Sequence, residues 1–344
     1  MAWGLRGDGL YGVVDWPRLD LIYLRNHNDL VGKTWERHLN QFAQFVSKHA
    51  LGNILEIGSG HGLLSQKFMQ ERLASSDEIR WHCIEPNPLN ENNHGKLVEG
   101  WFPEDLPSDL DFHTVVHSHV FEHQESPLEF AASISRVLPL GGRVVFSIPN
   151  MSEMAENLDL NMLMFEHLTF LTETEAAGIM AHAGFELLEI LYFEKHSVFM
   201  SFSKKSNPSD EIYVSKISHL VFRNVCQNFA SNLKLLASKI ERFFSDAPGQ
   251  KFVFGAHVFL QYIIGAGLDQ NSIDGILDNN PKKHGERLYG THLRVINPNT
   301  FSFDQPASVV VPMASYELEV IEGLAPKLPS GSRLLGPRTG IRST

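Results

Sequence analysis

Residues 53–62 read Asn53-Ile54-Leu55-Glu56-Ile57-Gly58-Ser59-Gly60-His61-Gly62, an apolar strand running into a glycine turn. Ile54, Leu55 and Ile57 supply the strand. Gly58, Gly60 and Gly62, with Ser59 between them, form a turn whose backbone can approach a ligand closely, because glycine has no Cβ in the way. Residues 63–73 then show helical spacing at Leu63, Leu64, Phe68 and Leu73. A glycine turn at the carboxyl end of a strand in an α/β sheet is where nucleotides bind. Two details separate this turn from a dinucleotide fingerprint. The spacing is Gly-x-Gly-x-Gly, and Glu56 stands two residues before the first glycine. That carboxylate would repel a pyrophosphate but not a cationic sulfonium or ammonium.

The stretch resembles the first motif of class I S-adenosylmethionine (SAM)-dependent methyltransferases. The resemblance implies an α/β Rossmann-like sheet with an antiparallel last hairpin. It also implies SAM as cofactor, with Glu56, Gly58, Ser59, Gly60 and Gly62 around it. A glycine motif alone is weak evidence, but the supporting pieces follow in chain order. Residues 35–49 form an amphipathic helix before the first strand, with Leu39, Phe42, Phe45 and Val46 on one face. Residues 79–84 form the second strand and end in Glu85-Pro86-Asn87. An acidic residue there can accept both ribose hydroxyls of a nucleoside, and the resemblance puts Glu85 and Pro86 at the ribose of SAM. Many relatives carry an acid for the adenine amine after Gly100, where this chain has Trp101. The adenine then stacks on Trp101 or Phe102, or both rings belong to the core.

Residues 114–120 are the next buried strand, 127–138 a helix and 144–148 another strand. Loops in this section line the methionine end of SAM in the family, which brings in His119. His117, His119 and His123 invite a metal reading, but no carboxylate–histidine set with metal spacing completes it in the sequence, so no metal is expected. Residues 150–161 read as a polar loop, 173–183 as a helix, and 186–193 with 197–202 as two strands.

Composition narrows the function classes. Of 344 residues 43% are hydrophobic and 20% charged, an ordinary globular balance for a chain long enough for two cores. A net charge of −11 disfavours nucleic acid, which needs a basic surface. The two cysteines, Cys83 and Cys226, form no CxxC pair, so neither a disulfide framework nor a thiolate zinc site is expected. Without a signal-like N-terminus or a membrane-length apolar run, the expectation is a soluble cytoplasmic protein.

Three domains are expected: residues 1–205 as the SAM domain, 206–250 as a helical linker, and 251–344 as a smaller Rossmann-like domain. Residues 1–30 show no clear period and read as a cap or a wrap. Apolar residues recur every three or four positions across 206–246. That pattern suits a coiled-coil-like contact, a homodimer included, or an interdomain brace.

The two-part order is similar to sugar C-methyltransferases, which join a SAM domain to a C-terminal Rossmann-like domain that helps hold a nucleotide-sugar. Phe254-Gly255-Ala256, Asp278-Asn279-Asn280-Pro281-Lys282-Lys283-His284-Gly285 and Leu288-Tyr289-Gly290-Thr291 carry that likeness. Two departures stand out. The N-terminal cysteine-rich zinc domain is missing. The family's run Tyr-x-Glu-His-x-x-Tyr keeps Glu166 and His167 but has Met164 and Phe170 for the tyrosines. A neutral histidine oriented by a carboxylate suits proton removal near pH 7, so His167 is the expected base, with Glu166 orienting it or holding substrate. The expected activity is methyl transfer from SAM to a small polar metabolite, foremost a nucleotide-linked sugar. Oxygen or nitrogen transfer, and a SAM-binding scaffold without catalysis, stay open as alternatives.

Overall fold

In the computed structural model the described residues are 3–15, 32–71, 79–88, 95–156, 159, 162, 164, 166–205, 216–247, 249–313 and 316–344. They fall into two compact units, Met1–Glu156 with Phe165–Phe222, and Asn157–Met164 with Arg223–Thr344. Parts of the expected cap (residues 16–31), of the loop at 150–161 and of the linker (206–215) lie outside the described residues.

Unit 1 opens with a short hairpin, β1 (Trp3–Leu5) and β2 (Tyr11–Val13), paired antiparallel. The main sheet comprises β3 (Ile54–Ile57), β4 (Trp81–Glu85), β5 (Lys96–Glu99), β6 (Thr114–Ser118), β7 (Arg143–Pro149), β8 (Phe185–Phe193) and β9 (Ser197–Lys204), in the order β5-β4-β3-β6-β7-β9-β8. Strands β3 to β7 are parallel, and β9 enters antiparallel between β7 and β8. This is the class I methyltransferase sheet with its closing hairpin.

The inner strands are apolar because helices cover both faces. On one face α1 (Lys33–His49) and α2 (Leu63–Glu71) bury Phe42, Phe45, Leu64 and Phe68 against Ile54, Cys83, Val116 and Phe199. On the other, α3 (Pro127–Val137) and α5 (Glu173–His182) pack Phe130, Ile134, Ile179 and Met180 against Leu55, Val115, Phe146 and Phe202. Local signals set the helix starts. Ser126 caps α3 with Pro127 in its first turn, and Thr172 with Glu175 closes a capping box on α5. Within residues 150–161, read from sequence as loop, α4 (Met151–Glu156) forms a short helix, burying Met151, Met154 and Ala155.

The β1–β2 hairpin was not legible as a strand pair, because three-residue strands carry too little alternation. Pairing holds it in place. Val13 donates its N–H to the Leu168 carbonyl and Phe170 to that of Tyr11, both within 2.9 Å. The Arg6 guanidinium binds the Thr169 hydroxyl and the carbonyl of Glu125. The segment carrying Glu166 and His167 is thereby fixed on its far side.

Unit 2 has a six-stranded sheet of β10 (Gln250–Phe254), β11 (Gly275–Leu277), β12 (Val295–Ile296), β13 (Ala307–Val310), β14 (Arg333–Gly336) and β15 (Gly340–Ser343), in the order β12-β11-β10-β13-β14-β15. All pairings are parallel except β14 with β15. Helix α6 (Lys216–Ser245) contributes Leu233, Ala237, Ile240 and Phe244 to one face, with α7 (Val258–Gly265) beside it. Helix α8 (Glu317–Leu324) packs Ile321 and Leu324 on the other. No helix among the described residues is long and apolar enough to cross a membrane.

Candidate functional site

The order of the first sheet reverses direction between β3 and β6, and the crevice beyond the carboxyl ends of those strands is where ligands bind in such folds. A cavity of about 720 Å³ opens there, within the range of small-molecule pockets. Glu56, Gly58, Ser59, Gly60, Glu85, Pro86, Trp101, Phe102, His119 and Glu166 all line it. Gly62 and His167 do not.

Gly58, Gly60 and Gly62 have φ of 75°, 50° and 69°, a region that L side chains adopt at a cost. A Cβ on Gly58 would also sit 2.6 Å from Val120 Cγ2. The turn is tied to the second strand. Glu85 Oε2 accepts the Gly60 N–H at 3.0 Å, and Oε1 accepts that of Asn87 at 3.0 Å. Ser59 Oγ and His61 Nε2, both in the turn, are buried without a hydrogen-bond partner, while both residues border the cavity.

Glu56 points to the α1/α2 face. Trp81 Nε1 donates to its Oε2 at 2.8 Å and Cys83 Sγ lies at 3.5 Å. Burial pushes this carboxyl up to about 7, opposed by those two donors and reinforced by the charge of Glu85. The two aromatics after Gly100 divide. Phe102 packs edge-to-face on Phe130, with centroids 5.8 Å apart, and its ring joins the core. Trp101 stays 40% exposed at the cavity mouth.

The histidines separate as well. His117, on β6, stacks on Phe146 at 4.8 Å, and burial drives it down to about 3. His119 has turned past the strand end, with φ 52°. A residue in the left-handed region next to a cavity points to a functional constraint. Its Nε2 is 3.0 Å from Ser197 Oγ, which is also 2.6 Å from His196 Nδ1. Its Nδ1 is 3.3 Å from Glu122 Oε1.

Glu122 was not picked out from the sequence. It lies on the 3-10 turn Phe121–His123 and is fully buried. Around it stand His119, His123 and His167. His123 donates from Nδ1 to the Glu166 carbonyl at 2.7 Å, and its Nε2 lies 3.7 Å from Glu122 Oε1. His167 meets His123 edge-to-face at 5.2 Å, one layer behind the cavity wall to which His123 belongs. Burial raises the Glu122 carboxyl, but the close His119 imidazole and the charges of His123, His119 and His167 outweigh it and hold this carboxyl at about 2. His167 is lowered to about 4, by burial first and then by His123, with Glu122 and Glu166 pulling the other way.

Among the described residues, two sets of donor atoms lie within 4.8 Å of one another, Glu122–His123–His167 and His38–His119–His196. Either spacing is close enough for one cation. The sequence hid both sets, since Glu122 and His167 come from different loops and His38 and His196 from α1 and the β8–β9 turn. The clue in the sequence was Phe121-Glu122-His123 directly after a buried strand, at the position where the first sheet meets its ligand.

Residues 27–190 match the profile of a methyltransferase domain family, and residues 227–337 match that of a C-methyltransferase C-terminal domain. No curated protein sequence matches the chain. Among solved structures, the N-methyltransferase NodS from Bradyrhizobium japonicum WM9, in complex with S-adenosyl-l-homocysteine (SAH), is similar at 15% identity and a TM-score of 0.39. That similarity covers 50% of this chain and 88% of that one. An O-methyltransferase family protein from Burkholderia thailandensis is similar at 10% identity and a TM-score of 0.40, over 50% of this chain and 57% of that one. With both profiles in register with the two α/β sheets, the chain belongs to the SAM-dependent methyltransferases, a methyltransferase domain followed by a C-methyltransferase C-terminal domain.

Proposed function

We propose that the chain transfers the methyl of SAM to a carbon of a small polar acceptor, foremost a nucleotide-linked sugar. One observation carries the reading: the glycine turn, Glu56 and Glu85 converge on one cavity whose far side is lined by His119 and His123, in front of the buried Glu122 and His167. In this reading residues 1–205 bind SAM, 206–250 link, and 251–344 help hold the acceptor. The cavity fits SAM. Glu85 and Pro86 face the ribose, and Trp101 stacks the adenine. Ser59 Oγ, buried without a partner, finds one in the amino-acid end, whose ammonium Glu56 attracts. His119 borders the methyl.

SAM supplies an activated methyl; the chain supplies alignment, which can lower the barrier by several kcal/mol, and a place for one proton. Carbon is a nucleophile only after losing that proton, so the acceptor carbon sits beside a carbonyl, as in a keto-sugar. His167 is the base, with His123 on its cavity side and Glu166 at the wall. With Met164 and Phe170 in place of the tyrosines, the proton-accepting side chains of that run are His167 and Glu166.

The test is a panel of nucleotide-linked keto-sugars with methyl-labelled SAM, read by label transfer and product mass. A carbon-methylated sugar nucleotide is the expected product. SAM bound with micromolar affinity but no label on any member would refute the substrate class, and no SAM binding would refute the site.

A further inference from the structure

A carboxylate with no exposure needs several well-formed hydrogen bonds to remain charged. Glu122 has none, since both its oxygens are buried and lack a partner at normal hydrogen-bond geometry. Its neighbours are long contacts to imidazoles, His119 Nδ1 at 3.3 Å and His123 Nε2 at 3.7 Å. The surrounding tautomers make sense of this. His123 Nδ1 already donates to the Glu166 carbonyl, so a neutral His123 turns a bare Nε2 towards Glu122. Only when that ring gains a proton does it have an N–H to give. On the other side, Ser197 Oγ sits between His119 Nε2 and His196 Nδ1. A hydroxyl has one proton to donate. If Glu122 accepts from His119 Nδ1, the bare Nε2 accepts from Ser197, which is then free to accept from His196. One carboxylate thus sets the direction of a four-member chain and waits opposite a second imidazole.

We propose that Glu122 is the positioning carboxylate of the catalytic histidines. It fixes the tautomer of His119 and stabilises the imidazolium that forms at the His123–His167 pair when the acceptor carbon gives up its proton. The proton moves from the acceptor carbon to an imidazole nitrogen. The carbon's electron pair forms the new bond to the methyl, and the carbon–sulfur bond breaks onto sulfur. Glu122 changes no bond. Glu166, whose carbonyl anchors His123, orients the ring through its backbone. This rests on the base assignment above, and it gives the orienting role to a residue outside the Glu166-His167 run.

The experiment compares full-length protein with Glu122→Gln and Glu122→Asp, each saturated with SAH, using histidine-labelled two-bond proton–nitrogen spectra. The expected result is that Glu122→Gln moves the ring nitrogen resonances of His119, His123 and His167 while melting temperature and SAH affinity stay within 2 °C and about twofold. Glu122→Asp should return part of the wild-type pattern. Wild-type resonances in a folded Glu122→Gln protein would overturn the proposal. So would metal analysis finding one tightly held divalent ion per wild-type chain and none in Glu122→Gln, because the carboxylate would then be a ligand. On a turned-over keto-sugar nucleotide, Glu122→Gln should lower kcat at least tenfold with the KM for SAM unchanged within about twofold. An equal rise in KM with kcat intact would refute positioning. A fully active His167→Ala enzyme would sink the base assignment and leave the spectral result for Glu122 standing.

Discussion

Replacing Glu56 with Gln should strengthen the fold and weaken SAM binding together. Glu56 is 3% exposed, and burial raises its carboxyl from 4.5 to about 7. For an acid whose folded value lies above its unfolded one, the protonated form suits the fold. The stabilisation it gives is complete below the unfolded value and is lost as pH rises through about 7. By pH 8 the ionised carboxylate has withdrawn about 3 kcal/mol. Gln keeps an acceptor for Trp81 Nε1 and has no charge to desolvate. Glu56→Gln should therefore gain at most about 3 kcal/mol at pH 8, shrinking towards zero near pH 4.5. At 2–4 °C per kcal/mol that is a rise of at most roughly 6–12 °C in melting temperature. The ligand side has the opposite sign. A SAM ammonium meets a carboxylate only when Glu56 is ionised, so wild-type affinity should tighten as pH rises from 6 to 8. The variant should bind roughly 10- to 100-fold more weakly at pH 8, the value of a charged hydrogen bond. Calorimetry with SAM and thermal melts at pH 5, 6.5 and 8 give both readouts. A Gln variant that melts lower at pH 8, or binds SAM as well as wild type, would refute this account of Glu56.

Other expectations follow from single contacts. Gly58→Ala places a methyl 2.6 Å from Val120 Cγ2 at φ 75°, so it should destabilise the fold by about 1–3 kcal/mol and weaken SAM by tenfold or more, checked by urea melts and calorimetry. Trp101→Ala removes an exposed ring and should leave stability within about 0.5 kcal/mol while costing roughly tenfold in SAM affinity if the adenine stacks there. His167→Ala should lower kcat by roughly 10²-fold with SAM affinity nearly unchanged. The wild-type rate should persist below pH 6 and fall as pH drops through about 4, where this imidazole gains its proton; loss of rate already at pH 6.5 would move the base elsewhere. His117, held at about 3 by burial with both ring nitrogens unpartnered, makes stability fall with pH below about 6.5. His117→Phe should relieve roughly 2 kcal/mol of that loss at pH 5, measured by denaturation.

The main sheet was legible because its signals are local. Ile54 to Gly62 shows a strand, its turn and the following helix within ten residues, and Glu85 ends the next strand at the expected distance. Residues 186–193 and 197–202 read as strands, and the family resemblance implied that they close the sheet as an antiparallel hairpin. What escaped depends on long-range pairing. Strands β5 and β12 are too short to show a period, and β14–β15 forms only by reaching each other across a three-residue turn. The site was legible where one stretch carries it, as in Glu56 to Gly60. It was not where several loops meet. Sequence distance separates Glu122 from His167 by more than forty residues, and nothing in either neighbourhood marks the other. Likewise Trp35 meets His38, His119 and His196 edge-on within 5.1 Å, an arrangement assembled from three elements.

The two sheets repeat one device, and the comparison tells structure from function. In unit 1 the turn after β3 gives the Gly60 N–H to Glu85, which also accepts from Asn87. In unit 2 the turn after β10 gives the Ala256 N–H to Asp278 Oδ2 at 2.8 Å, and Oδ1 accepts from Asn280 at 2.8 Å. A strand-end acid that ties the first turn to the second strand is thus part of how either sheet is built, whatever binds there. An acid at this position, taken by itself, is therefore weak evidence for a nucleoside. The surroundings separate the pair. Lys283 Nζ lies 3.2 Å from Asp278 Oδ2 and also donates to the Ala256 carbonyl, so a cation of the chain itself already occupies the approach. The turn after β10 has one glycine, Gly255, where the turn after β3 has three. Glu85 instead borders the cavity alongside Glu56 and Trp101. The same lock is closed by a lysine in one unit and left open in the other, and that difference, more than the acid, supports the proposal that the cofactor binds at the first sheet.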